Sequence, residues 1–248
     1  MKAELKKPIM ILFDYGHTLI GEPGFDLLHG TEAVMRYAAK NPQRLTPLQV
    51  REFADKVYAE TFEKTREVGI DLHYDAFDRL VYEYLQIEFP LSGGELEQVF
   101  LDNAGPGVVM PHTAEMLTYL HERGIRTGVI SNNSNSGETL KARFDLLLPN
   151  NQFEFVISSS DYMYRKPNPM LFELALRKAN LSADEVWFCG DSPNADIAGA
   201  AGVGMFPVWY ENLTMENPWR EKNAIKPTGE HLHIHDWREL IEMLETLH

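Results

Sequence analysis

The stretch that most constrains this chain is Ile9-Met10-Ile11-Leu12-Phe13-Asp14-Tyr15-Gly16-His17-Thr18. Five apolar residues run unbroken into an aspartate, and the chain then turns. Such a run fits a short strand buried on both faces, as parallel sheets require. A carboxylate at the C-terminal end of that strand sits where open α/β sheets bind ligands. Asp also favours turns on its own account, so the stretch alone leaves open whether Asp14 is chemistry or punctuation.

Residues from about 26 to 104 read as helices only. Val34, Tyr37 and Ala38 mark a first apolar face. Thr46-Pro47 is an N-cap with proline in the first turn, ahead of Val50, Phe53, Ala54, Val57 and Tyr58 at helical spacing. Phe77, Leu80, Val81, Tyr84 and Leu85 form a third face, and Leu96, Val99 and Phe100 a fourth. From Pro106 the pattern alternates. Strands are expected at Arg126–Ser131, Phe153–Ile157, Glu185–Cys189 and Val203–Trp209, with helices between them. A loop over 210–230, a short strand and a helix from Trp237 to Leu247 close the chain. Alternation of this kind predicts an α/β fold with a doubly wound parallel sheet. The expected organisation is a core of residues 1–20 and 106–248, interrupted by a helical subdomain over 21–105.

Composition narrows the functions. A net charge of −14 argues against a general nucleic-acid or anionic-membrane surface. It leaves room for a local phosphate pocket, which needs only a few donors. The single cysteine, Cys189, excludes an internal disulfide framework and fits a reducing, cytoplasmic setting. It lies in the run Val186-Trp187-Phe188-Cys189 and reads as a small core residue. The apolar run after Lys2, Lys6 and Lys7 is too short for a signal peptide or a membrane span.

Four segments place polar groups at the ends of expected strands or beside them: Asp14, Ser131-Asn132, Lys166 and Asp191. A parallel sheet brings such ends to one edge. Asp14 has the chemistry of a carboxylate nucleophile. Ser131 can donate to a phosphate, and Lys166 can balance an anion. Asp191 and Asp196, with Asp14, are hard oxygen ligands of the kind Mg²⁺ takes. Taken singly, Ser131 also reads as a turn residue, Lys166 as a solvated charge, and Asp191 and Asp196 as helix caps.

Phe13-Asp14-Tyr15-Gly16-His17-Thr18-Leu19, Val129-Ile130-Ser131-Asn132, Arg165-Lys166-Pro167-Asn168-Pro169 and Gly190-Asp191-Ser192-Pro193-Asn194-Ala195-Asp196 resemble, in order, the four motifs of the haloacid dehalogenase superfamily. The helical insertion is similar in position to that family's helical cap. The resemblance implies a Rossmann-like core with an all-helical cap, and Mg²⁺-dependent hydrolysis of a small phosphorylated metabolite in the cytoplasm, with no nucleic-acid or membrane partner. It implies that Asp14 forms an aspartyl-phosphate and that Ser131, Asn132 and Lys166 bind the phosphoryl group. Asp14, Asp191, Asp196 and the Gly16 carbonyl would hold the metal.

The chain departs from the family's phosphatases at Gly16, where they usually carry a second aspartate as general acid. His17 can stand in as proton donor, or simply shape the turn. Phosphonate-cleaving relatives lack that aspartate and use a cap lysine, for which Lys56 and Lys64 are available. A third reading is a catalytically weak protein that binds a phosphorylated ligand. Elsewhere, His231, His233 and His235 alternate on one strand face, as a metal set or a solvated edge strand. Tyr74, Phe77, Tyr82 and Tyr84 read as core and rim of the helical subdomain, and Trp209, Trp219 and Trp237 flank the late loop.

Overall fold

In chain order the strands are β1 (Met10–Phe13), β2 (Ile20–Gly21), β3 (Val108–Val109), β4 (Arg126–Ser131), β5 (Phe153–Ser158), β6 (Val186–Gly190), β7 (Phe206–Tyr210) and β8 (Leu232–Ile234). This is a computed structural model that describes residues 5–215 and 226–247. Lys2, Trp219 and part of the loop expected over 210–230 lie outside the described residues. Six strands form one sheet in the order β5-β4-β1-β6-β7-β8. Every neighbouring pair is parallel.

β1 occupies the middle, and all four of its side chains are fully buried. Period-two alternation sends Ile11 and Phe13 to one face, with Trp187, Cys189, Val208, Tyr210 and Trp237. Met10 and Leu12 go to the other, with Ile130, Phe172, Val186 and Phe188. A strand covered on both sides has no polar face to keep, so its sequence is a continuous apolar run. Cys189 is buried in the first of these cores.

The helices that follow β2 are α1 (Leu27–Met35), α2 (Pro47–Glu67), α3 (Tyr74–Tyr84) and α4 (Gly93–Ala104). Thr46 with Gln49 and Ser92 with Glu95 form capping boxes at the starts of α2 and α4. These helices bury a core of their own, including Val34, Val50, Ala54, Phe62, Phe77, Val81 and Leu96. Within it Tyr58 stacks on Phe62 at 4.9 Å, and Phe77 meets Phe62 edge-on at 5.2 Å. β2 and β3 pair antiparallel and bracket the helical block. The remaining helices are α5 (Thr113–Glu122), α6 (Gly137–Leu147), α7 (Ser159–Tyr162), α8 (Pro169–Ala179), α9 (Gly199–Val203) and α10 (Trp237–Glu245). No helix among the described residues is long and apolar enough to cross a membrane.

The structure corrects several details. Tyr37 lies beyond the end of α1 and is exposed. Leu80 and Tyr84 are exposed on α3, whose buried line is Phe77, Val81, Tyr82 and Leu85. Spacing alone admits both flanks of that line; the neighbours choose, and Tyr84 instead lies flat on Phe53 at 4.9 Å. The two-residue β2–β3 ribbon and α7 carry too little pattern to be expected.

The helical block meets the core largely through polar contacts. Asp71, between α2 and α3, is almost fully buried. It accepts from Ser134 Oγ (3.1 Å), Ser159 Oγ (2.5 Å), Arg66 Nε (3.4 Å) and Arg165. Glu97 on α4 accepts from the Ser136 backbone (2.8 Å) and from Thr139 Oγ1 (2.7 Å). Removing the Asp71 carboxylate takes a shared buried acceptor from Arg66, Arg165, Ser134 and Ser159. Asp71→Ala is therefore expected to cost about 3 kcal/mol in chemical denaturation, whereas a loss below about 1 kcal/mol would mean that water replaces the carboxylate freely.

Asp78 on α3 is pushed up to about 7, first by burial and then by Glu97, with Arg51 opposing. Its folded value lies above its unfolded one, so the native state binds the extra proton and stability falls as pH rises from about 4 to 7. Asp78→Asn should raise the Tm above wild type at pH 8 and lose that advantage towards pH 4. An equal difference at both pH values would dismiss the assignment.

Candidate active site

β1 pairs with β4 on one side and with β6 on the other, which is where the winding of the sheet reverses. Asp14 follows β1 directly, and its backbone N–H donates to the Cys189 carbonyl at 2.8 Å. The crevice above such a reversal is the usual ligand site of doubly wound sheets. Asp14 is buried there. Lys166, just after α7, reaches into the same crevice. Its Nζ donates to Asp14 Oδ1 (2.7 Å), Asp196 Oδ1 (2.6 Å) and the Ile130 carbonyl (2.8 Å). It also lies 5.0 Å above the Phe188 ring. Burial works against the ammonium, but Asp14 and then Asp196 outweigh it and hold the amine above its ordinary value.

Asp196 arrives on a wide helical turn over Pro193–Ala198, of the i→i+5 kind that often marks functional sites. Ile197 N bonds to the Ser192 carbonyl at 3.2 Å, and Asp196 Oδ2 accepts from Ser192 N at 2.9 Å. Gly190 makes this possible, because a Cβ there would come within 2.4 Å of the Asp196 carboxyl. Burial pushes the Asp196 carboxyl up and Lys166 opposes the shift. Asp191 completes the group, and its backbone carbonyl accepts from Trp209 Nε1 at 3.1 Å. Asp14, Asp191 and Asp196 each offer an oxygen, and these oxygens lie within 4.8 Å of one another. Hard oxygen donors gathered this closely in a buried crevice fit a divalent cation of the Mg²⁺ type.

Ser131 is buried at the end of β4, the strand beside β1. Asn132 clasps the Lys166 backbone: Nδ2 donates to its carbonyl (2.9 Å) and Oδ1 accepts from its N–H (2.7 Å). In this structure the Asn132 side chain thus positions Lys166. Gly16 and His17 form the turn after Asp14. His17 N donates to the Ile20 carbonyl at 2.8 Å, and His17 takes a left-handed φ of 55°, a conformation His tolerates better than most residues. Lys56 and Lys64 are exposed on α2.

Sequence reasoning missed the groups that hold this site from behind. Asp71 ties together Ser134, Ser159 at the start of α7 and Arg165, and Arg165 is the neighbour of Lys166. The Tyr15 hydroxyl donates to Glu22 (3.1 Å), whose carboxylate lies 3.7 Å from the buried Arg143. Arg165 and Tyr15 lie inside quoted motifs, which offered a signal; Asp71, Glu22 and Arg143 sit in segments with no local pattern.

A family model described as haloacid dehalogenase-like hydrolase matches residues 10–204. The chain is 34% identical over 103 residues to a glyceraldehyde 3-phosphate phosphatase of Pyrococcus abyssi, covering 41% of this chain and 42% of that protein. It is 33% identical over 138 residues to the glyceraldehyde 3-phosphate phosphatase of Methanothermobacter thermautotrophicus, covering 54% and 58%. The match thus spans about half the length of these relatives. The fold resembles the crystal structure of a HAD phosphatase from Thermococcus onnurineus, with a TM-score of 0.61 at 20% identity over 96% of this chain and 98% of that one. With a six-stranded parallel sheet, four carboxyl and amine groups gathered at its central edge, and a family model spanning residues 10–204, the chain belongs to the haloacid dehalogenase-like hydrolases.

Proposed function

We propose that the protein is a Mg²⁺-dependent phosphatase of a small phosphorylated metabolite, with Asp14 as nucleophile and residues 21–105 as a cap over the site. The observation that carries this reading is the buried Lys166 ammonium joined to both Asp14 and Asp196, with Asp191 within reach of both carboxylates. An Asp14 oxygen attacks phosphorus, the phosphorus–ester oxygen bond breaks, and the leaving alkoxide takes a proton. Water then attacks the aspartyl-phosphate, releasing inorganic phosphate and restoring the carboxylate. Lys166 and Ser131 stabilise the charge on the transferring phosphoryl oxygens, and Asn132 keeps Lys166 in register. When bound to Asp14, Asp191, Asp196 and the Gly16 carbonyl, Mg²⁺ supplies the charge neutralisation that lets one anion approach another. Relatives named as phosphatases of a small sugar phosphate support the substrate class.

Asp14→Asn should lower Mg²⁺-dependent hydrolysis of an activated aryl phosphate by at least about 10³-fold while leaving the fold intact by circular dichroism. Equal rates in the two proteins would remove Asp14 from the role.

Gly16 favours a second reading, phospho-ligand binding with weak turnover, and the structure makes the two separable. A Cβ at Gly16 meets nothing within 4 Å, and the residue is not in the positive-φ region. Gly16→Asp should therefore be accommodated. If the absent acid limits the rate, the variant will accelerate alkyl phosphate hydrolysis by up to about 10²–10⁴-fold and aryl phosphate hydrolysis far less. If His17 already donates the proton, the bias will instead appear as a loss in His17→Ala. Neither effect would mean that leaving-group protonation does not control the reaction.

A further inference from the structure

The outer edge of the sheet carries a second cluster of ligand-type side chains. β8 pairs in parallel with β7, with Trp209 opposite His233 and Tyr210 opposite Ile234. The ladder continues one step, as Glu211 N donates to the Ile234 carbonyl at 2.8 Å. This brings Glu211, at the end of β7, against His233 and His235 on β8 and just beyond it. Glu211 Oε2 lies 3.0 Å from His233 Nε2. The His233 and His235 rings are 4.5 Å apart, edge to face. One ligand atom from each of the three residues lies within 4.8 Å of the others.

Two details make this more than a solvated edge. His235 Nδ1 is 2.9 Å from the Glu211 backbone carbonyl. A carbonyl only accepts, so Nδ1 carries the proton and the Nε2 lone pair is left for a ligand. A backbone acceptor behind a metal-binding imidazole is the usual second layer of such sites. The His233 ring is also fixed, lying flat on Trp209 at 4.0 Å with 16° between the planes. The 3.0 Å between Glu211 Oε2 and His233 Nε2 is close to the roughly 3.3 Å between ligand atoms in a tetrahedral site with bonds of about 2.0–2.1 Å.

We infer that Glu211, His233 and His235 form a binding site for a borderline transition-metal ion of the Zn²⁺ type, separate from the carboxylate site at Asp14. Two imidazoles and one carboxylate select Zn²⁺ or a close neighbour, whereas the all-oxygen set of Asp14, Asp191 and Asp196 selects Mg²⁺. On binding, the ion replaces the proton shared by His233 and Glu211. It fastens the edge strand β8 to β7 through side chains as well as backbone. Trp209 touches both regions, stacking on His233 and donating to the Asp191 carbonyl.

The test is a calorimetric titration of the whole protein with Zn²⁺ in excess Mg²⁺, which occupies the carboxylate site. Wild type and Asp191→Asn should each bind one Zn²⁺ per chain. His233→Ala and His235→Ala should weaken it by at least about tenfold. His233→Gln, which keeps a polar group beside Glu211 with little change of volume, should also lose affinity while keeping the metal-free Tm. Co²⁺ in place of Zn²⁺ should give the strong visible absorption of a four-coordinate nitrogen-containing site in wild type and Asp191→Asn, and not in the histidine variants. Absence of Zn²⁺ binding by wild type overturns the inference. So does binding unchanged in the His233 and His235 variants, or binding abolished by Asp191→Asn.

Discussion

One buried ammonium holds the site together. Lys166 is almost completely enclosed and satisfies itself on two carboxylates and a carbonyl. An unpaired cation at that depth would cost several kcal/mol and would give up its proton instead. In turn its charge offsets those of Asp14 and Asp196, and the three residues are a unit. Gly190 is bound to the unit too, since its missing side chain is the space that Asp196 occupies.

The sheet explains why residues from positions 14, 131 and 191 come to one edge. β1 has the chain's next core strand, β4, on one side and β6 on the other. Parallel crossovers bring each return strand up from the same direction, so the C-terminal ends of all three lie on one rim. The local work is done by ordinary backbone bonds, such as Asp14 N to the Cys189 carbonyl. The rim is specific because the turns leaving it are specific: a tight turn closed by His17, and the wide turn at Pro193–Ala198 that presents Asp196.

Most of the core, and the gathering of Asp14, Lys166, Asp191 and Asp196 in one crevice, was legible in the sequence because the signals are local. A double-faced strand must be a continuous apolar run, and β1 and β6 are such runs. Proline after an N-cap announces α2 and α8. What stayed hidden depends on distant partners. Leu80 and Val81 are adjacent and equally apolar, yet only Val81 finds a neighbouring helix to bury it. Asp71 looks like any loop aspartate until three core segments close around it. The bonds of the Asn132 side chain to the Lys166 backbone join residues 34 positions apart, and no local pattern announces them. The wide turn at Pro193–Ala198 has no sequence period of its own that would set it apart from an ordinary helix.

Hydrogen bonds fasten the helical block to the core, from Asp71 and Glu97 and from backbone pairs such as Tyr74 N to the Ser134 carbonyl, and a seam of this kind differs from an oily one. The two kinds of seam respond differently to separation. An oily seam that parts exposes surface that water cannot satisfy, and the cost grows with every square ångström. A polar seam that parts exchanges each protein partner for a water molecule, at a net cost near 1 kcal/mol per bond. Such a junction can be firm when shut and inexpensive to open, and it reseals in one register because every carboxylate must find its own donors. Adhesion and reversibility, which usually compete, are obtained here from the same few oxygen atoms.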